Sequence, residues 1–239
     1  MNKFIDMHCH IIPGVDDGAS TIEEAAEMLK VACKEGIRYI VATPHFHPKR
    51  GEAELSEIRQ QLALLRQEAE KLEEKIKIFV GHEIYFTHDV VDILKERRIL
   101  TMNGNEFVLV EFSPSVEKYY LKRGIQLLQM NGYTVVLAHV ERYACVRDDF
   151  TLVEYLCDMG VLLQVNAGSI LGDKGRAVKK FVKRLLEEER VFCVGTDAHD
   201  LKYRPPLMRK AAGYVEKKYG EEYARRIFFS NAATLLKKK

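Results

Sequence analysis

The chain has 239 residues, and 37 lysines and arginines against 35 aspartates and glutamates leave a formal net charge of +2. That balance, with no basic block beyond the tail Lys237-Lys238-Lys239, excludes nucleic-acid binding driven by bulk charge. The lead-in Met1-Asn2-Lys3 lacks the apolar core of a signal peptide, and no run of about 18 apolar residues marks a membrane span, so the expected location is the cytoplasm.

The chain is expected to enter a strand after Lys3, with a short apolar lead-in from Phe4 that runs straight into His8 and His10, then a Pro13-Gly14 turn and the pair Asp16-Asp17. Residues i and i+2 of a strand share a face, so His8 and His10 present two imidazoles to one point. Ser20-Thr21-Ile22-Glu23 has capping-box spacing, and a helix follows to a stop at Gly36. Ile37 to Ala42 is a β-rich run that ends in Thr43-Pro44-His45. A charged helix is expected from about Glu52 to Lys75, with Leu55, Ile58, Leu62, Leu65, Ala69 and Leu72 as its apolar stripe.

Further strands are expected at Ile76 to Val80 ending in Gly81-His82-Glu83, at Phe107 to Val110 ending in Glu111, and at Thr134 to Ala138 ending in His139. Two more run from Val161 to Val165, ending in Asn166, and from Val191 to Val194, ending in Gly195-Thr196-Asp197-Ala198-His199. Helices are expected over Asp89 to Arg97, Ser115 to Asn131, Phe150 to Met159 and Gly175 to Glu189, with two more after Arg204-Pro205-Pro206. The five cysteines, Cys9, Cys33, Cys145, Cys157 and Cys193, form no CxxC pair and none has an arginine six positions on; they read as reduced thiols.

Strand then helix, about seven times over, implies parallel pairing with helical crossovers, and continuously apolar strands imply burial on both faces. The strands end in histidines or carboxylates. In a closed barrel those ends ring one mouth, whereas an open sheet would spread six strands over about 25 Å. A single-domain α/β barrel over residues 1–239 is therefore expected. Its mouth collects His8, His10, Asp17, His45, Glu83, Glu111, His139, Asp197 and His199. Nine candidate ligands exceed the needs of one metal and point to two or three ions. Imidazole and carboxylate without thiolate suit Mn, Fe or Zn. Asp16 competes with Asp17, while His47, His82 and His88 read as non-ligands. Arg142 lies three residues past His139 and Arg204 five past His199, and guanidinium binds phosphate bidentately.

The segments HCHIIPGVDDG, ATPHFHP, GHEIY, LVEF, LAHVERY and GTDAHD, in this order, resemble the polymerase and histidinol phosphatase (PHP) superfamily. Within it they are similar to the bacterial metal-dependent protein-tyrosine phosphatases of the capsule and exopolysaccharide CpsB/YwqE family. The resemblance spans residues 5 to about 205 and implies a distorted (β/α)7 TIM-like barrel with a trinuclear centre, usually manganese, for which Fe, Co or Zn are possible substitutes. It implies one ion on His8, His10, Glu83 and Asp197, a second bridged by Glu83 and completed by Glu111 and His139, and a third on Asp17, His45 and His199. It assigns Arg142 and Arg204 to phosphate binding. The implied reaction is attack by metal-bound hydroxide on phosphotyrosine, with Asp197 or His199 protonating the phenolate, on the tail of a bacterial tyrosine kinase in polysaccharide export. Thr196, where relatives often carry Ser, is the one departure. Three other readings stand beside this one: histidinol phosphate or another small phosphoester as substrate, an amidohydrolase, and a non-catalytic PHP-like binding module.

Overall fold

The computed structural model describes residues 3–48 and 53–237. Glu52, the expected start of the long charged helix, and Lys238-Lys239 lie outside the described residues. Strands β1 (Phe4–Cys9), β2 (Ile37–Ala42) and β4 (Lys77–Val80) form one parallel sheet. The segments β3 (His45–Phe46), β5 (Glu83–Tyr85), β6 (Phe107–Glu111), β7 (Thr134–Leu137), β8 (Leu162–Asn166) and β9 (Cys193–Gly195) form a second, paired in that order and parallel throughout.

The two sheets are continuous in space. Pro44, which has no N–H to donate, interrupts the line from β2 to β3, and Gly81-His82 interrupts the line from β4 to β5. Pairing crosses both breaks through Gly81 N–H to the Ala42 carbonyl and Glu83 N–H to the Pro44 carbonyl, each 3.0 Å. At the far edge, Asp197 N–H donates to the His8 carbonyl at 2.7 Å and His10 N–H to the Ala198 carbonyl at 2.8 Å. The result is a mixed α/β single domain with a curled parallel sheet. Nine strand segments stand where about seven were expected, because two lines are broken by residues that cannot keep the ladder.

The curl has an inside and an outside with period two. Leu109 and Glu111 on β6, Leu162 and Gln164 on β8, and Cys193 on β9 face inward, whereas Val108, Val110, Leu163 and Val165 join the outer core under the helices. Inward apolar side chains fill the lower half: Ile5, Met7, Val41, Leu109, Val136 and Cys193. Polar ones occupy the strands' C-terminal ends.

Helix α1 (Ile22–Glu35) is capped by Thr21, whose Oγ1 accepts from Glu24 N–H at 3.2 Å, and it ends at left-handed Gly36. The expected cap at Ser20 moves one residue: Glu24 instead reaches back to the Ser20 N–H and hydroxyl. Helix α2 (Leu55–Glu70) buries Ile58, Leu62, Leu65 and Ala69 but stops at Lys71, short of the predicted Lys75. Next come α3 (Val90–Lys95), α4 (Lys118–Met130), α5 (Ala144–Asp148), α6 (Phe150–Asp158), α7 (Ala167–Leu171) and α8 (Arg176–Glu187). Where two final helices were expected, α9 (Arg209–Tyr219) and α10 (Glu221–Arg225) lead through a π-turn at Arg226–Ser230 into α11 (Asn231–Leu235). Leu235 and Leu236 then plug the bottom of the curl. All five cysteines are free thiols.

Candidate metal centre

The N-terminal strand brings in two imidazoles whose second nitrogens are already committed. His8 Nδ1 lies 3.2 Å from Gln164 Oε1, and His10 Nδ1 lies 2.7 Å from Asp16 Oδ2. An amide oxygen and a carboxylate accept only, so both Nδ1 atoms carry the proton and both Nε2 atoms turn lone pairs inward. Those Nε2 atoms lie 3.0 Å apart. Glu83 Oε2 sits 3.0 Å from one and 3.1 Å from the other, and Asp197 Oδ1 lies 3.5 and 3.6 Å away. All four residues are buried.

Two further groups share this wall. His199 donates from Nδ1 to the Asp197 carbonyl at 3.0 Å, leaving Nε2 3.4 Å from Asp17 Oδ1; His45 Nε2 lies 3.4 Å from the same oxygen. His45 Nδ1 is 3.2 Å from Glu83 Oε2 and 3.4 Å from Glu111 Oε1. His139 Nε2 is 2.6 Å from Glu83 Oε1 and 3.8 Å from Glu111 Oε2. Ligand atoms within 4.8 Å of one another thus define His8/His10/Glu83/Asp197, His10/Asp17/His45/His199 and His45/Glu83/Glu111. All nine residues named from the sequence meet in one basin. His10 and His45 belong to two groups each, and Glu83 touches every ring but His199. Asp16 takes a different part: it orients His10 and accepts the N–H groups of Gly18 and His45.

This donor set fits cations. Glu83 Oε2 and His199 Nε2 are buried and make no hydrogen bond, so they carry lone pairs that water does not reach. Burial alone would raise the Glu83 and Asp197 carboxyls. The charges of His8 and His139 outweigh it at Glu83, and those of His8 and Arg142 at Asp197, so both stand below the ordinary carboxylate range. At His10 burial pulls down, but Asp16 and Glu83 more than offset it and push the imidazole up to about 10. Four carboxylates around five imidazoles form a donor set that divalent ions match.

The backbone is bent to serve this geometry. His139 (φ 32°) and Asp197 (φ 55°) both sit in the left-handed region that non-glycine residues avoid. Gly195 allows β9 to approach: a Cβ there would stand 2.5 Å from His8 Cβ. Arg142 and Arg204, partly exposed, both reach Asp197, Arg204 Nη2 lying 2.6 Å from Oδ1 and Arg142 Nη2 touching Oδ2.

Three supporting residues were not singled out in the sequence. Gln164 Oε1 meets both His8 Nδ1 and His139 N–H (2.8 Å), while its Nε2 donates to Asn166 Oδ1 at 2.9 Å. Asn166 Nδ2 donates to Asp197 Oδ2 at 2.7 Å. Asp6 accepts from His8 N–H and from the N–H and hydroxyl of Thr196, and burial lifts its pKa to about 6. The available signal was polar residues on the inward parity of apolar strands. Of the histidines read as non-ligands, His82 accepts from Leu100 N–H and His47 stacks on Tyr85, both turned to other partners.

A parallel α/β sheet with clustered imidazoles and carboxylates at its C-terminal ends defines a metallohydrolase-like architecture. The fold matches a lactonase from Listeria monocytogenes at TM-score 0.64 over 99% of this chain and 95% of that one, at 12% identity. The family described as "Capsular polysaccharide synthesis, CpsB/CapC" matches residues 4–237. The chain is 34% identical over 238 residues to the tyrosine-protein phosphatase CpsB of Streptococcus agalactiae, covering 98% of each. It also superimposes, at TM-score 0.88 and 33% identity over 97% of this chain and 94% of the other, on a chain from the crystal structures of YwqE from Bacillus subtilis and CpsB from Streptococcus pneumoniae, described as unique metal-dependent tyrosine phosphatases. The protein belongs to the CpsB/CapC family.

Proposed function

We propose that this protein is a metal-dependent phosphotyrosine-protein phosphatase. The single observation that carries the reading is the convergence of five imidazoles and four carboxylates beside two arginines that share Asp197. The proposed ligands are His8, His10, Asp17, His45, Glu83, Glu111, His139, Asp197 and His199, holding two or three ions. Manganese is the proposed metal, supported by a donor set without thiolate. When bound, such ions act as Lewis acids on a phosphoryl group and make water a competent nucleophile at neutral pH.

The chain's own residues do the rest. Gln164, Asp16 and the Asp197 carbonyl fix the proton on Nδ1 of His8, His10 and His199, so each ring presents its other nitrogen without reorganising. In this reading Arg142 and Arg204 let go of Asp197 to hold phosphate oxygens, each offering a planar fork of donors. Asp197 or His199 would relay to the departing phenolate the proton given up by the attacking water. Two strand lines rejoined across their breaks, with the seam at Cys9–Ala198, support counting seven strands of a distorted (β/α)7 barrel over residues 1–239. The proposed substrate is the phosphorylated tyrosine tail of a bacterial kinase controlling polysaccharide export, in the cytoplasm. Five unpaired cysteines support that location, and no described helix is long and apolar enough to cross a membrane.

The test is hydrolysis of a phosphotyrosyl peptide and of histidinol phosphate by chelator-treated protein, with and without added Mn²⁺. Manganese-restored turnover that favours the peptide is expected. Turnover of histidinol phosphate alone would replace the substrate, and hydrolysis of neither ester would end the phosphatase reading.

A further inference from the structure

Beside the basin lies a pocket of about 150 Å³ that meets the ligand set only at Asp197 and is lined also by Arg142 and Arg204. Its inner end is polar. Both guanidinium groups line it, and so does Ser169, whose hydroxyl is buried at 2% exposure yet makes no hydrogen bond. Its exposed lining pairs one apolar side, Tyr203, Pro205 and Leu207, with Tyr203 79% and Leu207 49% exposed, with the charged residues Asp173 and Lys174. The Lys202 ammonium lies 4.8 Å from the centroid of the Tyr203 ring, and Tyr203, Pro205 and Leu207 together give one side of the cleft a contiguous apolar surface.

The segment that carries them is held firmly. Asp200 Oδ1 accepts the N–H groups of Lys202 and Tyr203 at 2.6 and 2.5 Å and of Arg204 at 3.2 Å. The Arg204 carbonyl accepts from His199 N–H at 2.9 Å, and two prolines follow. Tyr203 is therefore presented at the mouth on the same tight turn that aims Arg204 inward. A rigid amphipathic ring of this kind contacts ligand at low entropic cost.

We infer that this pocket is an aryl subsite: the phosphate end of a phosphotyrosyl side chain meets Arg142 and Arg204, and its ring packs between Tyr203, Pro205 and Leu207. The inference rests on the phosphatase reading above and adds which residues make the enzyme prefer aromatic over aliphatic phosphate esters. The volume suits it, since a cavity of about 150 Å³ admits a benzene ring. The unpartnered Ser169 hydroxyl gives the inner end a further group to meet a substrate oxygen.

The experiment measures inhibition of phosphotyrosyl-peptide hydrolysis by phenylphosphonate and by methylphosphonate, in the metal-loaded protein and in Tyr203→Ala, Leu207→Ala and Tyr203→Phe, with bound metal quantified in each. The parent protein is expected to bind the phenyl compound more tightly. Either alanine change should shrink that preference about tenfold at unchanged metal content, and Tyr203→Phe should keep it, because the ring and not its hydroxyl makes the contact. Equal inhibition by the two compounds in the parent, or a preference that survives both alanine changes, overturns the subsite and leaves the phosphatase standing. A parent protein that hydrolyses no phosphotyrosyl peptide overturns both.

Discussion

The two ends of the curled sheet solve opposite problems with the same strands. At the bottom, Ala232, Leu235 and Leu236 close the curl with apolar volume, and the chain end is tied by Asn103 Nδ2 to the Leu236 carbonyl at 2.9 Å and Asn105 Nδ2 to the Leu235 carbonyl at 2.7 Å. Every element there lowers free energy locally. At the top, an orphaned Glu83 oxygen, an unpartnered His199 nitrogen and two left-handed non-glycine residues raise it. The difference teaches where stability resides and where it has been given up: the plug end holds the fold, and the basin end is held by it.

Five substitutions break or sharpen that contrast. Glu83→Gln should have the largest effect, because this carboxylate stands between His8, His10, His45 and His139. Metal-dependent turnover should fall by about a thousandfold or more, with metal loss seen by elemental analysis. Melting of the metal-free protein should fall, since the imidazole charges that hold the Glu83 carboxylate would be left buried without their partner. Leu235→Ala at the other end should do the reverse. It is expected to cost about 3 kcal/mol in denaturant unfolding, the usual range for a buried leucine, while turnover per folded molecule stays put. Arg142→Ala and Arg204→Ala should each lower kcat/KM about a hundredfold with metals retained; full rate in either would remove that arginine from phosphate binding. Gln164→Leu should weaken metal affinity about tenfold to a hundredfold, read by competition with a chelator, with far-ultraviolet circular dichroism unchanged.

The same contrast explains what was legible in the sequence. Basin residues stood out because a histidine or carboxylate ending an apolar run is costly unless used, so His139 after Val135-Val136-Leu137-Ala138 announced itself. The long strands were plain for the same reason. Gln164 and Asn166 were harder, since neutral amides inside Leu162–Asn166 resemble tolerated polar positions until their inward parity is known. The segments β3 and β5 are two and three residues long and rest on pairing across a proline break, which no local pattern encodes. Helix α2 outlived its charge pattern on paper: Lys71 onward keeps helical composition, yet the chain must turn so that Ile76 and Ile78 enter the core. The split of the C-terminal helices likewise follows from seating α11 under the curl, a tertiary demand.

The clamp of Asp6 on Thr196 joins positions 190 residues apart. Asp197, His199 and Arg204 all follow that seam in the chain, and they meet groups contributed by its first strand. The basin is therefore closed by pairing between segments far apart in sequence, the kind of contact whose formation carries a large loop-closure cost.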